Sequence, residues 1–224
     1  MNYKLNYILN KKFFLLAIAC MALVCLNAQQ KVAIKTSKGE IIVLLYEDTP
    51  IHQENFIKLV QQKFYDSLLF HRVIKDFMIQ AGDPNSRPPR KTNSLGSGGP
   101  GYTIQAELGR GHIHKKGALA AARQGDNVNP TKRSSGSQFY IVQGRKTPRK
   151  YMSRFEESRG KTYSEEELEI YETIGGTPHL DGQYTVFGEV LKGLDVVDSI
   201  ANTPTQTGDR PQEDIYIISM NLIK

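Results

Sequence analysis

Apolar and polar residues alternate along much of this chain with the period of two that marks half-buried strands. Val32 to Thr36, Gly39-Glu40 and Ile41 to Tyr46 read as strand, tight turn, strand. Thr49-Pro50 follows, a cap residue with proline at the first helical position. Phe56, Leu59 and Val60 then carry helical spacing, and Lys63 to Asp66 closes that helix. Tyr102 to Ala106 is a short strand. Gly117 to Arg123 is a run of small residues that suits either a short helix or a close-packed strand. Gly136 to Val142 reads as a buried strand, and Thr185 to Val190 as another. Gly193 to Asn202, with Leu194, Val197, Ile200 and Ala201, predicts a second helix, and Ile215 to Leu222 a closing strand. No internal repeat is visible.

The stretch from Phe70 to Asp83 organises the rest. Its apolar runs flank Lys75-Asp76, a polar break of the kind that ends strands. A hairpin folded at Asp76 sets Arg72 opposite Gln80, Ile74 opposite Met78 and Phe70 opposite Gly82. Arg72, Ile74, Met78 and Gln80 then share one face, while Phe77, Ile79 and Ala81 face the other way or sit at the bend. On that shared face apolar groups could hold a small ring while a guanidinium bonds a neighbouring carbonyl or nitrogen. A lone strand arginine more often only reaches solvent, so the weight falls on the remaining motifs.

Several of those motifs exclude chemistry. Ser97 to Gly101, in the polar loop from Pro84 to Gly101, lacks the Gly-Lys-Ser/Thr ending of a phosphate cradle. His112 and His114 have strand spacing for a metal, but no third ligand is near and Lys115-Lys116 oppose a cation. They read as surface histidines, and no metal or other cofactor is expected. Ser137 has no base beside it and is no nucleophile. The segment from about 145 to 176 differs in composition, basic in its first half and acidic in its second. Ser164 with Glu167 is a capping-box signature, Leu168, Tyr171 and Ile174 share one helical face, and Gly175-Gly176 stops the helix. A charged insertion with one amphipathic helix follows. It either packs on its own domain or binds a partner.

The 224 residues suffice for one domain with a sizeable core. Residues 1–28 stand apart. Lys4, Lys11 and Lys12 precede an apolar run from Phe13 to Leu26 and a small-residue exit at Asn27-Ala28, the form of a secretory signal peptide. The run is too short for a stable membrane span. Export, to a periplasm, is expected; lipid attachment at Cys20 is the alternative. Both cysteines, Cys20 and Cys25, lie here, so cleavage near Ala28 leaves no disulfide and no thiol. The same cut removes three of 29 basic residues and none of the 23 acids, lowering the formal net charge from +6 to +3. Nucleic-acid binding has little support.

Taken together, Phe70-His71-Arg72-Val73-Ile74, Phe77 to Asp83, Gly136 to Ile141, and Leu180-Asp181-Gly182 leading to Val186-Phe187-Gly188 resemble the cyclophilin family of peptidyl-prolyl cis-trans isomerases. The likeness runs from Val32 to the end, the insertion apart. It implies a mainly β fold, a closed eight-stranded antiparallel barrel capped by two α-helices. It implies Arg72 and Gln80 as catalytic residues, and Phe77, Met78, Phe139 and Leu180 as the pocket for a proline ring. Ala122 and Arg123 fall where the family presents backbone to substrate, with Gln138 and His71 in the flanking motifs. Tyr140 sits where phenylalanine is usual and Tyr184 where histidine is common. His179 replaces the tryptophan that contacts cyclosporin in sensitive members. The implied partners are proline-containing polypeptides, and the expected state is a monomer. A non-catalytic chaperone or scaffold that holds proline segments is the competing reading.

Overall fold

The computed structural model describes residues 29–89 and 94–224. The expected signal peptide at 1–28, with Cys20, lies outside the described residues, as do residues 90–93 of the polar loop. Twelve strands are described: β1 Lys31–Thr36, β2 Gly39–Leu45, β3 Arg72–Ile74, β4 Met78–Ala81, β5 Thr103–Ile104, β6 Ala118–Ala121, β7 Ser134–Ser135, β8 Phe139–Val142, β9 Val186–Lys192, β10 Thr205–Gln206, β11 Arg210–Pro211 and β12 Ile217–Ile223. Four α-helices accompany them: α1 Pro50–Gln61, α2 Met152–Arg159, α3 Glu165–Thr173 and α4 Leu194–Ala201.

Eight strands form one antiparallel sheet in the order β12-β1-β2-β9-β6-β8-β4-β3. The first hairpin shows what fixes its register. Val32 pairs with Val43 and Ile34 with Ile41, and all four side chains are fully buried, while lysines alternate outward. A slip of one residue would turn every one of them to solvent. The small-residue run is strand β6, not a helix; its alanines let β8 and β9 pack closely on either side.

The sheet is an open, curled half-barrel, which corrects the expected closed barrel. Its edge strands β3 and β12 share no ladder. The gap is crossed by backbone bonds from the segment before β3 to the start of β12 and the residues just before it. Ser67 N–H donates to Ile217 O (2.8 Å), Phe70 N–H to Ile215 O (2.9 Å) and Ile217 N–H to Leu68 O (2.8 Å). These bonds cover part of both edges, which limits pairing with another chain.

Period-two alternation sorts the side chains into two clusters. Val73, Ile79, Leu119, Phe139 and Ile141 point into the main core, where α1 adds Phe56, Leu59 and Val60 and α4 adds Val197, Ile200 and Ala201. Met78, Ala118, Ala120, Tyr140, Val142 and Val186 face the other way, with Ile74, Phe77, Leu180 and Tyr184 packed on them.

The insertion carries two α-helices, α2 and α3, rather than the one expected, preceded by a 3-10 turn at Arg149–Tyr151. Six of the eight residues of α2 are polar, and the alternation of apolar groups that would announce a helix is missing. The capping box is as expected: Glu167 N–H donates to Ser164 Oγ (3.2 Å) and Ser164 N–H to Glu167 Oε2 (2.9 Å). Of the expected apolar face, Tyr171 is buried and Leu168 half-buried, but Ile174 is exposed. Met152, Tyr163, Tyr171 and Ile113 form a third small core, so the insertion packs on its own domain. Its two ends close through backbone bridges at Gly176 to Lys115 and Arg145. A Cβ on Gly176 would lie 2.3 Å from the carbonyl oxygen of His114, so three chain segments meet there only because the residue is glycine.

His114 is a second correction. It is fully buried and hydrogen-bonded rather than a surface residue. His112 is partly exposed, stacked on Tyr46 and paired with Asp48. Among the described residues no group of three or more His, Cys, Asp or Glu could hold a metal ion, and no helix is long and apolar enough to cross a membrane.

Candidate active site

The β3–β4 hairpin folds at Asp76, whose φ of 61° supplies the left-handed turn. Arg72 pairs with Gln80, Val73 with Ile79 and Ile74 with Met78, as the symmetry of the stretch predicts. The face carrying Arg72, Met78 and Gln80 opens onto a pocket of about 300 Å³. Phe77, Met78, Leu180, Tyr140 and Tyr184 supply its apolar lining; His71, Arg72, Gln80, Ala122 and Arg123 supply the rest, beside Leu95, Gly96 and Gly208.

The polar side chains other than His71 are held. Arg72 Nε donates to Asp209 Oδ2 (3.1 Å), and the guanidinium keeps 42% of its side chain exposed to the pocket mouth and solvent. Asp209 is itself fixed to β3, because its carbonyl oxygen accepts Val73 N–H (2.7 Å). Gln80 Nε2 donates to Gln138 Oε1 (2.9 Å), and Gln138 Nε2 donates to the carbonyls of Gly96 (2.9 Å) and Gly98 (2.7 Å). Gln138 therefore aims Gln80 from outside the pocket. Arg123 is locked by Gln183 O, Gln124 O and Asp126, with its guanidinium 4.6 Å from the Tyr184 ring centroid. It braces a wall, and the backbone beside Ala122 is what the pocket meets. His71 is buried with neither ring nitrogen partnered among the described residues, and desolvation lowers its pKa to about 4. It is a neutral ring at the pocket edge at pH 7.

Behind the pocket lies a buried network. Asp181 follows Leu180, and its Oδ1 accepts His114 N–H (2.8 Å) and lies 2.8 Å from His114 Nδ1. Its Oδ2 accepts the hydroxyls of Tyr163 (2.8 Å) and Tyr171 (2.6 Å) from the insertion. His114 Nε2 is 3.0 Å from the Tyr140 hydroxyl. Burial alone would raise the Asp181 carboxyl, but the bonds from His114 and Tyr171 outweigh it and hold the carboxyl below the usual range. Burial pushes Tyr140 well above 10, so its hydroxyl stays protonated. The insertion thus reaches two pocket residues, Leu180 through the backbone and Tyr140 through His114.

A second constellation imitates a hydrolase. Ser134 Oγ lies 2.9 Å from His52 Nε2, and His52 Nδ1 lies 2.6 Å from Glu107 Oε2. All three are buried, and the adjoining cavity is about 10 Å³, about one water's worth of space. No acyl substrate could reach that serine, so the trio fastens loops to α1.

Residues 31–222 match the model of the family described as cyclophilin type peptidyl-prolyl cis-trans isomerase/CLD. The chain belongs to that family. A protein of Staphylococcus epidermidis, provisionally named as a peptidyl-prolyl cis-trans isomerase, is 35% identical over 193 residues, covering 86% of this chain and 91% of its own length. A Staphylococcus aureus protein of the same name is 34% identical, with the same coverage. In fold, the chain is similar to a crystal structure of a cyclophilin type isomerase of Cryptosporidium parvum, with a TM-score of 0.63, 22% identity, and coverage of 88% of this chain and 98% of that one. A second crystal structure of that protein, in the presence of the dipeptide Ala-Pro, superposes with a TM-score of 0.62.

Within this cyclophilin, nine of the twelve residues expected at the site line the pocket: His71, Arg72, Phe77, Met78, Gln80, Ala122, Arg123, Leu180 and Tyr184. Gln138 lies one bond behind Gln80. His179 stacks on Phe77 (5.4 Å, 28° between planes) but lines the neighbouring groove. Phe139 is the correction. It is 1% exposed in the main core, edge-on to Phe56 and Tyr65, and Tyr140 takes the pocket position. The signal was parity: Gln80 faces Tyr140 across β4 and β8, so Tyr140 must share the pocket face. That register is long-range and not written in the local pattern. Asp209 and the Asp181–His114 pair were also missed, since each acts on a residue far away in sequence.

Proposed function

We propose that this cyclophilin catalyses rotation about Xaa-Pro peptide bonds in exported polypeptides, with Arg72 as the catalytic residue. The peptide bond resists rotation with a barrier of about 18–20 kcal/mol. Before proline the two planar forms differ by only about 1 kcal/mol, so a catalyst need only favour the twisted bond over both. At the twist the prolyl nitrogen turns pyramidal and regains a lone pair. Asp209 engages Arg72 Nε and leaves the Nη groups to donate to that nitrogen and to the proline's carbonyl. Arginine suits this because it stays charged and presents a rigid fork. Phe77, Met78, Tyr140 and Leu180 clamp the ring while the preceding carbonyl turns. Gln80, steadied by Gln138, offers its amide to the substrate backbone. No covalent step and no cofactor is needed.

The observation that carries this reading is the Arg72 guanidinium and a ring-sized apolar slot opening into the same cavity. Purified protein should speed isomerisation of a proline tetrapeptide by a factor set by enzyme concentration, and Arg72→Lys should lose most of that. Binding of the peptide without any acceleration would favour the scaffold reading instead. Export is part of the proposal: cell fractionation should find a chain cut near Ala28, whereas fatty-acid labelling lost on Cys20→Ser would place it on a membrane surface.

A further inference from the structure

Beside the prolyl pocket runs a groove of about 640 Å³ between the hairpin and the insertion. The two share Phe77 as a lining residue, and His179, stacked on Phe77, adjoins Leu180 of the pocket. The junction is rigid, because Phe77 O accepts the N–H groups of both Gln143 and Gly144 (3.0 Å each). The chain then enters the insertion with Arg145 and Lys146. These two and Arg154 of α2 are exposed and line the groove; Asp76 is the one carboxylate among its lining residues.

The charge pattern is selective. Arg149 pairs with Glu165 and Glu172, and Lys161 with Glu167, so the acidic half of the insertion neutralises cations elsewhere. Arg145, Lys146 and Arg154 have no carboxylate within ion-pair distance among the described residues. Arg154 and Lys150 instead flank the exposed Tyr151 ring, at 5.6 and 5.0 Å from its centroid, which makes that lip of the groove electropositive. Tyr151 and Phe155 add apolar surface between the cations. Partial desolvation, with His114 and Arg159 nearby, lowers the pKa of His179 and so favours its neutral ring.

We propose that this groove is a subsite for the substrate polypeptide, selecting segments with acidic side chains two to five residues from the proline, on one side only. The inference rests on the pocket being the prolyl site. An extended chain advances about 3.3 Å per residue, so a peptide leaving the pocket over Phe77 is carried, a few positions on, toward Arg145, Lys146 and Arg154. Alternate side chains of the peptide would face the cations and the Tyr151 and Phe155 rings. The groove biases this enzyme toward acidic clients, which the slot of Phe77, Met78, Tyr140 and Leu180, carrying no charge, does not.

The test is kcat/KM for matched proline peptides carrying Glu, Gln or Lys at each position two to five residues to either side. Glu should exceed Lys by about fivefold on one side and by nothing on the other, because exposed pairs give modest gains. The preference should shrink toward unity at about 0.5 M salt. Arg145→Gln with Arg154→Gln should erase it, and Arg145→Glu with Arg154→Glu should reverse it toward Lys, an inversion that a merely structural role could not give. Equal rates for Glu, Gln and Lys, with the neutral peptide turned over, would overturn this inference alone. No turnover of the neutral peptide would overturn the proposed function and this inference with it.

Discussion

Phe139 and Tyr140 are neighbours on one short strand and belong to different parts of the molecule. Phe139 packs among Phe56, Tyr65 and the main core, while Tyr140 faces the pocket that holds Arg72 and reaches His114. Both are aromatic and nearly unexposed, at 1% and 4%. Burial therefore does not separate a stabilising residue from a functional one here; the face of the sheet does. One face of β4 and β8 holds the fold together, and the other shapes the slot beside Arg72.

That contrast can be broken by substitution. The largest expected effect on stability is Phe139→Ala, which should cost about 3–5 kcal/mol in denaturant unfolding; a loss under about 1 kcal/mol would remove Phe139 from the core. Asp181→Asn comes next. It leaves two tyrosine hydroxyls and a histidine around a neutral amide, and should cost about 2–3 kcal/mol. Because the folded carboxyl lies below its usual range, this stability is present at neutral pH and fades as pH falls through the folded value, so wild type and Asp181→Asn should converge in acid. Tyr140→Phe should cost about 1 kcal/mol and change turnover only a fewfold, since the ring proposed to clamp proline remains.

The hairpin was legible because its symmetry about Asp76 is local, and so were α1, α4 and the capping box of α3. What was not legible depends on partners far along the chain. The parity of Phe139 and Tyr140 is set by β4, about 60 residues away. His114 looked like a surface group because Asp181, 67 residues on, is invisible to a local reading. The open sheet reflects edge strands β3 and β12 that share only an isolated bridge at Leu69–Tyr216, which apolar runs do not announce. Helix α2 was hidden by its polar composition.

A smaller effect concerns His71. Its folded pKa of about 4 lies below the unfolded value of about 6.5, so the unfolded chain takes up a proton first and stability falls as pH drops from 6.5 toward 4. His71→Gln should flatten part of that slope in a thermal-melt series; an unchanged slope would mean the other buried histidine with a lowered pKa, His52, accounts for it.

The most direct measurement compares Arg72→Ala with wild type in proline-peptide turnover and thermal unfolding together. The account predicts a rate loss of about a hundredfold or more, equivalent to about 2.7 kcal/mol of barrier, with stability within about 0.5 kcal/mol of wild type. Turnover near the wild-type rate in a folded Arg72→Ala protein would contradict it.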